Sequence, residues 1–140
     1  MNPLTLFEKQ IWPLNEKVPN LECLTLYDIN SDELNLFLSN IMSFKKLTEL
    51  NITSSTRFCN NTVWESFHSL TKNIHSLRKI KLENIILSFE STYDWNNDTI
   101  THMTIQIKTT DDLIILLHNF SNLHFLDVCI DKFEAPHAKQ

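Results

Sequence analysis

One spacing, repeated five times, constrains this chain more than anything else in it. Leu21-x-x-Leu24-x-Leu26 is followed by Leu47-x-x-Leu50-x-Ile52, Leu77-x-x-Ile80-x-Leu82, Ile100-x-x-Met103-x-Ile105 and Leu123-x-x-Leu126-x-Val128. The copies start 26, 30, 23 and 23 residues apart. A truncated sixth copy is read at Met1, Leu4 and Leu6. In each full copy the residue between the last two apolar positions is polar: Thr25, Asn51, Lys81, Thr104 or Asp127. Alternation with a period of two is the mark of a strand with one face buried and one face wet. Apolar spacings of this kind also arise by accident, as Leu82-x-x-Ile85-x-Leu87 does out of register. The weight therefore falls on what lies between the copies.

Several of the intervals carry helical period behind a start signal. Ser31-Asp32-Glu33 offers a hydroxyl cap and first-turn acids, and Leu34, Leu38, Ile41 and Met42 follow at helical spacing. Thr62-x-x-Glu65 reads as a capping box before the stripe Val63, Phe67, Leu70 and Ile74. Thr110-Asp111-Asp112 opens a third helix, with Leu113, Leu116, Leu117 and Phe120 behind it. The interval from Ile85 to Asn97 has no cap and no clean stripe, so an irregular or extended connection is expected there. Its Phe89, Tyr93 and Trp95 either pack on the helical side or form a binding loop.

Strand and capped helix alternating at a period near about 20–29 residues describe a leucine-rich-repeat solenoid. The expected fold is thus α/β, with a curved parallel sheet on the concave side and helices on the convex side. Residues 1–20 are read as an N-terminal cap or truncated repeat, 21–133 as about five repeats, and 134–140 as a polar tail. A doubly wound α/β domain is the rival. It favours glycine-bearing loops and near-continuously apolar central strands, and this chain has no glycine and alternating strands.

The missing glycine has two further consequences. Left-handed turns must be made by Asn, Asp or Ser, and every glycine-dependent phosphate loop or nucleophile elbow is excluded. A net charge of -5 argues against a nucleic-acid partner, which needs a basic face. Cys23, Cys59 and Cys129 form no CxxC pair, and no apolar run approaches the roughly 20 residues of a membrane span. Charges and two prolines occupy the first 18 residues, where a signal peptide needs an apolar core. A cytoplasmic or nuclear location with free thiols is expected, without a membrane partner. The sequons at Asn51, Asn60, Asn97 and Asn119 are then without consequence. His68, His75, His118 and His124 make no metal motif, and the Glu65–His68 pair reads as a local contact. No catalytic residue, metal ligand or cofactor site is expected.

The repeats resemble the leucine-rich-repeat portion of F-box proteins, especially the divergent, asparagine-rich type of expanded invertebrate families such as those of rotifers. The resemblance runs over residues 18–133 and is carried by the entry PNLECLTLYDI, by ELNLFLSNI after Ser31 and by TTDDLIILLHNFSNLHFLDV. It implies substrate capture for a ubiquitin ligase, with a separate F-box docking on the ligase adaptor. No F-box is read in the 20 residues before Leu21, so adaptor binding is expected only if an F-box lies outside this chain. The asparagine position of the usual repeat falls on Ile29, Ser55, Ile85, Lys108 and Asp131, so no asparagine ladder is expected.

With the LxL side chains turned inward, three outward columns follow. They are Cys23, Glu49, Lys79, His102, Phe125; Thr25, Asn51, Lys81, Thr104, Asp127; and Tyr27, Thr53, Glu83, Gln106, Cys129. Their mixed charges and occasional aromatics suit a protein or peptide partner. The candidate contacts are Tyr27, Asn51, Lys79, Lys81, His102, Thr104, Phe125 and Asp127. Alternatives are a merely solvated face, self-assembly through the solenoid ends, or a small α/β enzyme. At the amino end, Leu4, Leu6, Phe7, Ile11, Trp12 and Leu14 are expected to cap the first repeat. Deleting residues 1–17 should then lower stability by several kcal/mol or cause aggregation. Thermal melting is the check, and an unchanged Tm contradicts the cap.

Overall fold

A computed structural model describes residues 20–40, 44–59, 70–72, 74–88 and 96–131. The elements are β1 (Cys23–Ile29), α1 (Ser31–Asn40), β2 (Glu49–Cys59), β3 (Lys79–Leu87), β4 (His102–Ile107), α2 (Thr110–Asn119) and β5 (Phe125–Ile130). The strands form one parallel five-stranded sheet in the order β1-β2-β3-β4-β5. Each of the five sequence copies supplies one strand. Among the described strands the order never reverses, so they form no switch point of the kind a doubly wound domain uses. The truncated copy at Met1–Leu6 and the polar tail lie outside the described residues.

The repeat is visible in the backbone as well as in the side chains. Just before each of the first four strands, one carbonyl accepts from two successive N–H groups of the next repeat. Glu22 O accepts from Thr48 and Glu49, Thr48 O from Arg78 and Lys79, Arg78 O from Thr101 and His102, and Thr101 O from His124 and Phe125, at 2.8–3.1 Å. Thr48 Oγ1 donates to the Glu22 carbonyl at 3.0 Å and Thr101 Oγ1 to that of Arg78 at 3.3 Å. Upstream of these links lies a turn whose first residue is buried: Phe44, Ile74, Asn97 and Phe120 hold equivalent places. Leu47 N–H donates to Phe44 O and Leu77 N–H to Ile74 O, both at 3.3 Å. Side chains tie turn to turn: Ser76 Oγ donates to Lys45 O at 3.0 Å and Asn122 Nδ2 to Asp98 O at 3.1 Å.

The core lies on the face of the sheet that the helices cover. Leu50, Ile52, Ile80, Leu82, Met103 and Ile105 from the central strands join Leu34 and Phe37 of α1 and Leu116 of α2. Residues 70–72 are helical, with Leu70 buried among the same group. Toward the last strand this cover thins. Leu126, Val128 and Ile130 of β5 are only half-buried.

Both helices begin where the sequence opened them, at Ser31 and Thr110, but each is capped by the residue before. Asn30, not Ser31, caps α1: its Oδ1 accepts from Glu33 N–H at 2.8 Å, and Glu33 Oε1 accepts from Asn30 N–H at 3.1 Å. Thr109, not Thr110, caps α2 through the same reciprocal box with Asp112. A cap must stand outside the helix with extended backbone so that its side chain can turn back to the third helical residue. That displaces the cap one place before the first helical position. Leu117, read as part of the inward stripe of α2, is instead exposed, whereas Phe37, left out of the α1 stripe, is fully buried. The side chain of Leu38, with Ile41, Met42 and residues 62–69, lies outside the described residues.

Beyond the LxL core β1 and β3 each pass through a left-handed residue. Asp28 and Asn84 have φ of 58° and 65° and occupy equivalent places, two residues after Leu26 and Leu82. Asp and Asn reach this region at lower cost than other side-chain-bearing residues, so they stand in for the absent glycine. Asn84 Nδ2 also donates to Ser54 O at 3.0 Å, fixing the turn to its neighbour. The residues that follow, Ile29 and Ile85, are buried. Apolar packing thus fills places an asparagine ladder would otherwise take. β3 runs on to Leu87, so the interval expected to be irregular or extended from Ile85 begins as extended strand. Phe89, Tyr93 and Trp95 lie outside the described residues.

Asn97 is the polar member of the buried turn positions and earns its burial through bonds. Its Oδ1 accepts from Thr99 N–H at 3.0 Å, Thr99 Oγ1 at 3.2 Å and Ile100 N–H at 2.9 Å, and its Nδ2 donates to Thr71 O at 3.1 Å. Asn97→Ala strips several buried groups of their partner at once and should cost on the order of 2–3 kcal/mol. Urea unfolding tests this, and an unmoved midpoint would contradict the role assigned to Asn97.

Candidate binding face

Parallel pairing in register carries each outward residue onto its counterpart in the next strand. The first column is continuous: Cys23 pairs with Glu49, Glu49 with Lys79, Lys79 with His102 and His102 with Phe125. So is the second, through Thr25, Asn51, Lys81, Thr104 and Asp127. All ten side chains are exposed or half-buried. The third column, expected through Tyr27, Thr53, Glu83, Gln106 and Cys129, is broken. Thr53 pairs with Glu83 and Gln106 with Cys129, but Gln106 lies opposite Ile86, and the register slips between Leu26 and Ile29. The left-handed turns at Asp28 and Asn84 insert residues there, and β2 adds a four-residue bulge between Thr53 and Phe58.

The floor of the face over β1–β3 is a hydrogen-bonded polar lattice. Asn51 Nδ2 donates to Glu49 Oε2 at 3.0 Å and reaches Thr25 Oγ1 at 3.4 Å. Thr53 Oγ1 donates to Glu83 Oε1 at 3.2 Å, and Lys81 Nζ stands 3.8 Å from the same oxygen. Both partners of that ion pair are half exposed, so its contribution to stability is on the order of 0–1 kcal/mol. These side chains, with Tyr27, line a shallow open depression of about 290 Å³.

Aromatics stand at the two ends of the face. Tyr27 on β1 is 73% exposed and Phe125 on β5 is 51% exposed. Phe125 stacks on His102 with ring centroids 6.0 Å apart and planes 24° from parallel, and Thr101 Oγ1 holds His102 Nδ1 at 2.9 Å. The sequence columns join these two residues without revealing that their rings stack. Lys79 has no carboxylate within salt-bridge distance among the described residues.

A second polar group sits at the carboxyl edge of the sheet. Arg57, on the bulge of β2, reaches Asp131 beyond β5 at 3.6 Å. Cys59 lies near it; the residue is exposed, but partial burial of its thiol pushes the pKa up, with Lys108 opposing that shift and Asp112 and Asp131 adding to it. All three cysteines are free. Among the described residues no group of three His, Cys, Asp or Glu side chains could hold a metal ion, and His75, His118 and His124 are exposed singly. Asn97 and Asn119, each in a sequon, are buried. No helix among the described residues is long and apolar enough to cross a membrane.

Comparison with known proteins finds no family model, no curated protein and no solved structure that matches the chain.

A raised thiol pKa shrinks the thiolate fraction at any given pH, so the alkylation rate of Cys59 should rise at higher pH than that of a free cysteine in a peptide. Lys108→Met should move the profile further alkaline and Asp131→Asn should move it back. Mass spectrometry of iodoacetamide-treated protein reads both shifts, and coincident profiles would contradict the assigned electrostatics.

Proposed function

We propose that the chain is a leucine-rich-repeat binding module that holds a protein or peptide partner on the open face of its sheet and performs no catalysis. The observation that carries this reading is the pair of outward columns kept in register across all five strands. Such columns give a partner a rigid, regularly spaced array of side chains at little further ordering cost. The contacts are assigned to Tyr27, Asn51, Lys79, Lys81, His102, Thr104, Phe125 and Asp127. Nucleic acid is disfavoured because Glu49, Glu83 and Asp127 offset the lysines on the same face. The sequential strand order, the repeated backbone link and the helix-covered inner face all suit a solenoid of stacked βα units. In keeping with the resemblance to F-box proteins, the module would be the substrate-binding half of a ubiquitin-ligase receptor in the cytoplasm or nucleus, its adaptor contact made by an F-box outside this chain.

Self-assembly is the second reading. It draws on the half-buried Leu126, Val128 and Ile130 of edge strand β5 and on the exposed Ile114 and Leu117 of α2. Sedimentation at increasing concentration separates the two, since a strictly monomeric species contradicts self-assembly.

Affinity purification from native cells tests the favoured reading when wild type is run beside Asn51→Arg/Thr104→Arg. Both substitutions sit on the outward face, and circular dichroism checks that the variant is folded. The variant is expected to lose the partners that wild type recovers. The same partners on both would overturn the assignment of the face. Adaptor and scaffold subunits of a ubiquitin ligase among the recovered proteins would support the receptor role, and their absence would count against it.

A further inference from the structure

The first column holds a charge and an apolar anchor that its neighbours leave uncommitted, and this points to the chemistry of the partner. Lys81 is engaged by Glu83 at 3.8 Å, and Glu49 accepts from Asn51 at 3.0 Å. Lys79, exposed between Glu49 and His102, has no carboxylate within 4.0 Å among the described residues. Two strands away in the same column, half of Phe125 is exposed, its ring backed by His102. We infer that the open face takes a linear peptide whose carboxylate side chain meets Lys79 and whose aromatic or large aliphatic side chain, three positions away, packs on the His102–Phe125 pair. The inference rests on the proposed function and deepens it.

Geometry sets the spacing. Two strand separations place Lys79 and Phe125 roughly 10 Å apart at the backbone. A polyproline II segment returns to the same side every third residue after about 9 Å, whereas an extended strand brings residues three apart to opposite sides. Polyproline II also suits the surface. The open face presents side chains, because the strands' backbone groups pair with one another in the sheet. A peptide lying across it therefore gains no ladder and must keep its own backbone solvated. Charge supplies the selectivity, since the uncommitted group is cationic while Glu49, Glu83 and Asp127 around it repel a second anion elsewhere on the face.

A phage-displayed library of random linear peptides, selected on the full chain, provides the probe. Enriched sequences are then synthesised with fluorescein and titrated by anisotropy. The expected result is enrichment of an acidic residue three positions from an aromatic or large aliphatic one. Changing that acid to its amide, Lys79→Glu or Phe125→Ala should each weaken binding about tenfold, and added salt should weaken it further. Lys79→Glu and Phe125→Ala are exposed changes, and circular dichroism checks that each variant is folded. Peptides lost with Asn51→Arg/Thr104→Arg but indifferent to Lys79→Glu overturn this inference and leave the binding face standing. Peptides indifferent to every face substitution, or no enrichment at all, overturn both.

Discussion

The whole sheet depends on one backbone link: the carbonyl ahead of each of the first four strands accepting from two N–H groups of the repeat that follows. It recurs at Glu22, Thr48, Arg78 and Thr101 with nearly constant length. Parallel strands cannot be joined by a tight hairpin, so each must return through a long crossover whose closing point is unspecified by local geometry. Here the link fixes that point. Crossovers of unequal length, with copies 26, 30, 23 and 23 residues apart, all deliver their strands in the same register. A slip of one residue would turn Leu50 and Ile52 outward and Asn51 into the core, which burial of six central apolar side chains opposes.

The same register builds the outer face. Alternation sends Lys79 and Lys81 out where Ile80 and Leu82 go in, and pairing lines these residues up with their counterparts in four other strands. Regularity stops where the backbone turns left-handed at Asp28 and Asn84. The face therefore has two ordered columns and a ragged third, and the ragged end holds the β2 bulge, the Arg57–Asp131 pair and Cys59. Order holds at the amino end of every strand, and irregularity is confined to the carboxyl half of β1–β3, while β4 and β5 stay in register to Ile107 and Ile130.

Much of this was legible in the sequence because strand period and strand register are both local signals. The five LxxLxL copies located every strand, and laying them side by side predicted the first two columns residue for residue. The third column failed because nothing in Tyr27-Asp28 or Glu83-Asn84 says how many residues a left-handed turn will insert. Both helix starts were legible, but the cap of α1 was placed at Ser31 rather than Asn30, because the two satisfy the same preferences and only backbone geometry chooses between them. The turn ahead of the later copies was not read as a repeated feature: Ile74 and Phe120 were assigned to helix stripes, although with Phe44 they stand three places before Leu77, Leu123 and Leu47. Asn97 in the equivalent place hides that pattern, since a buried asparagine with its bonds satisfied looks like a loop residue in one dimension. Stacking of His102 on Phe125 needed side-chain conformations that no spacing supplies.

Chemical-shift mapping of the isotope-labelled chain, titrated with a purified partner, tests the central claim most directly. If the open face of the sheet is the working surface, the perturbed amides will fall along β2–β5 around Asn51, Lys79, Lys81, His102, Thr104, Phe125 and Asp127. They will cross the strands as columns and leave α1 and α2 unmoved. Perturbations confined to α2 around Ile114 and Leu117, with the columns silent, would contradict the account and place the working surface on the helical side.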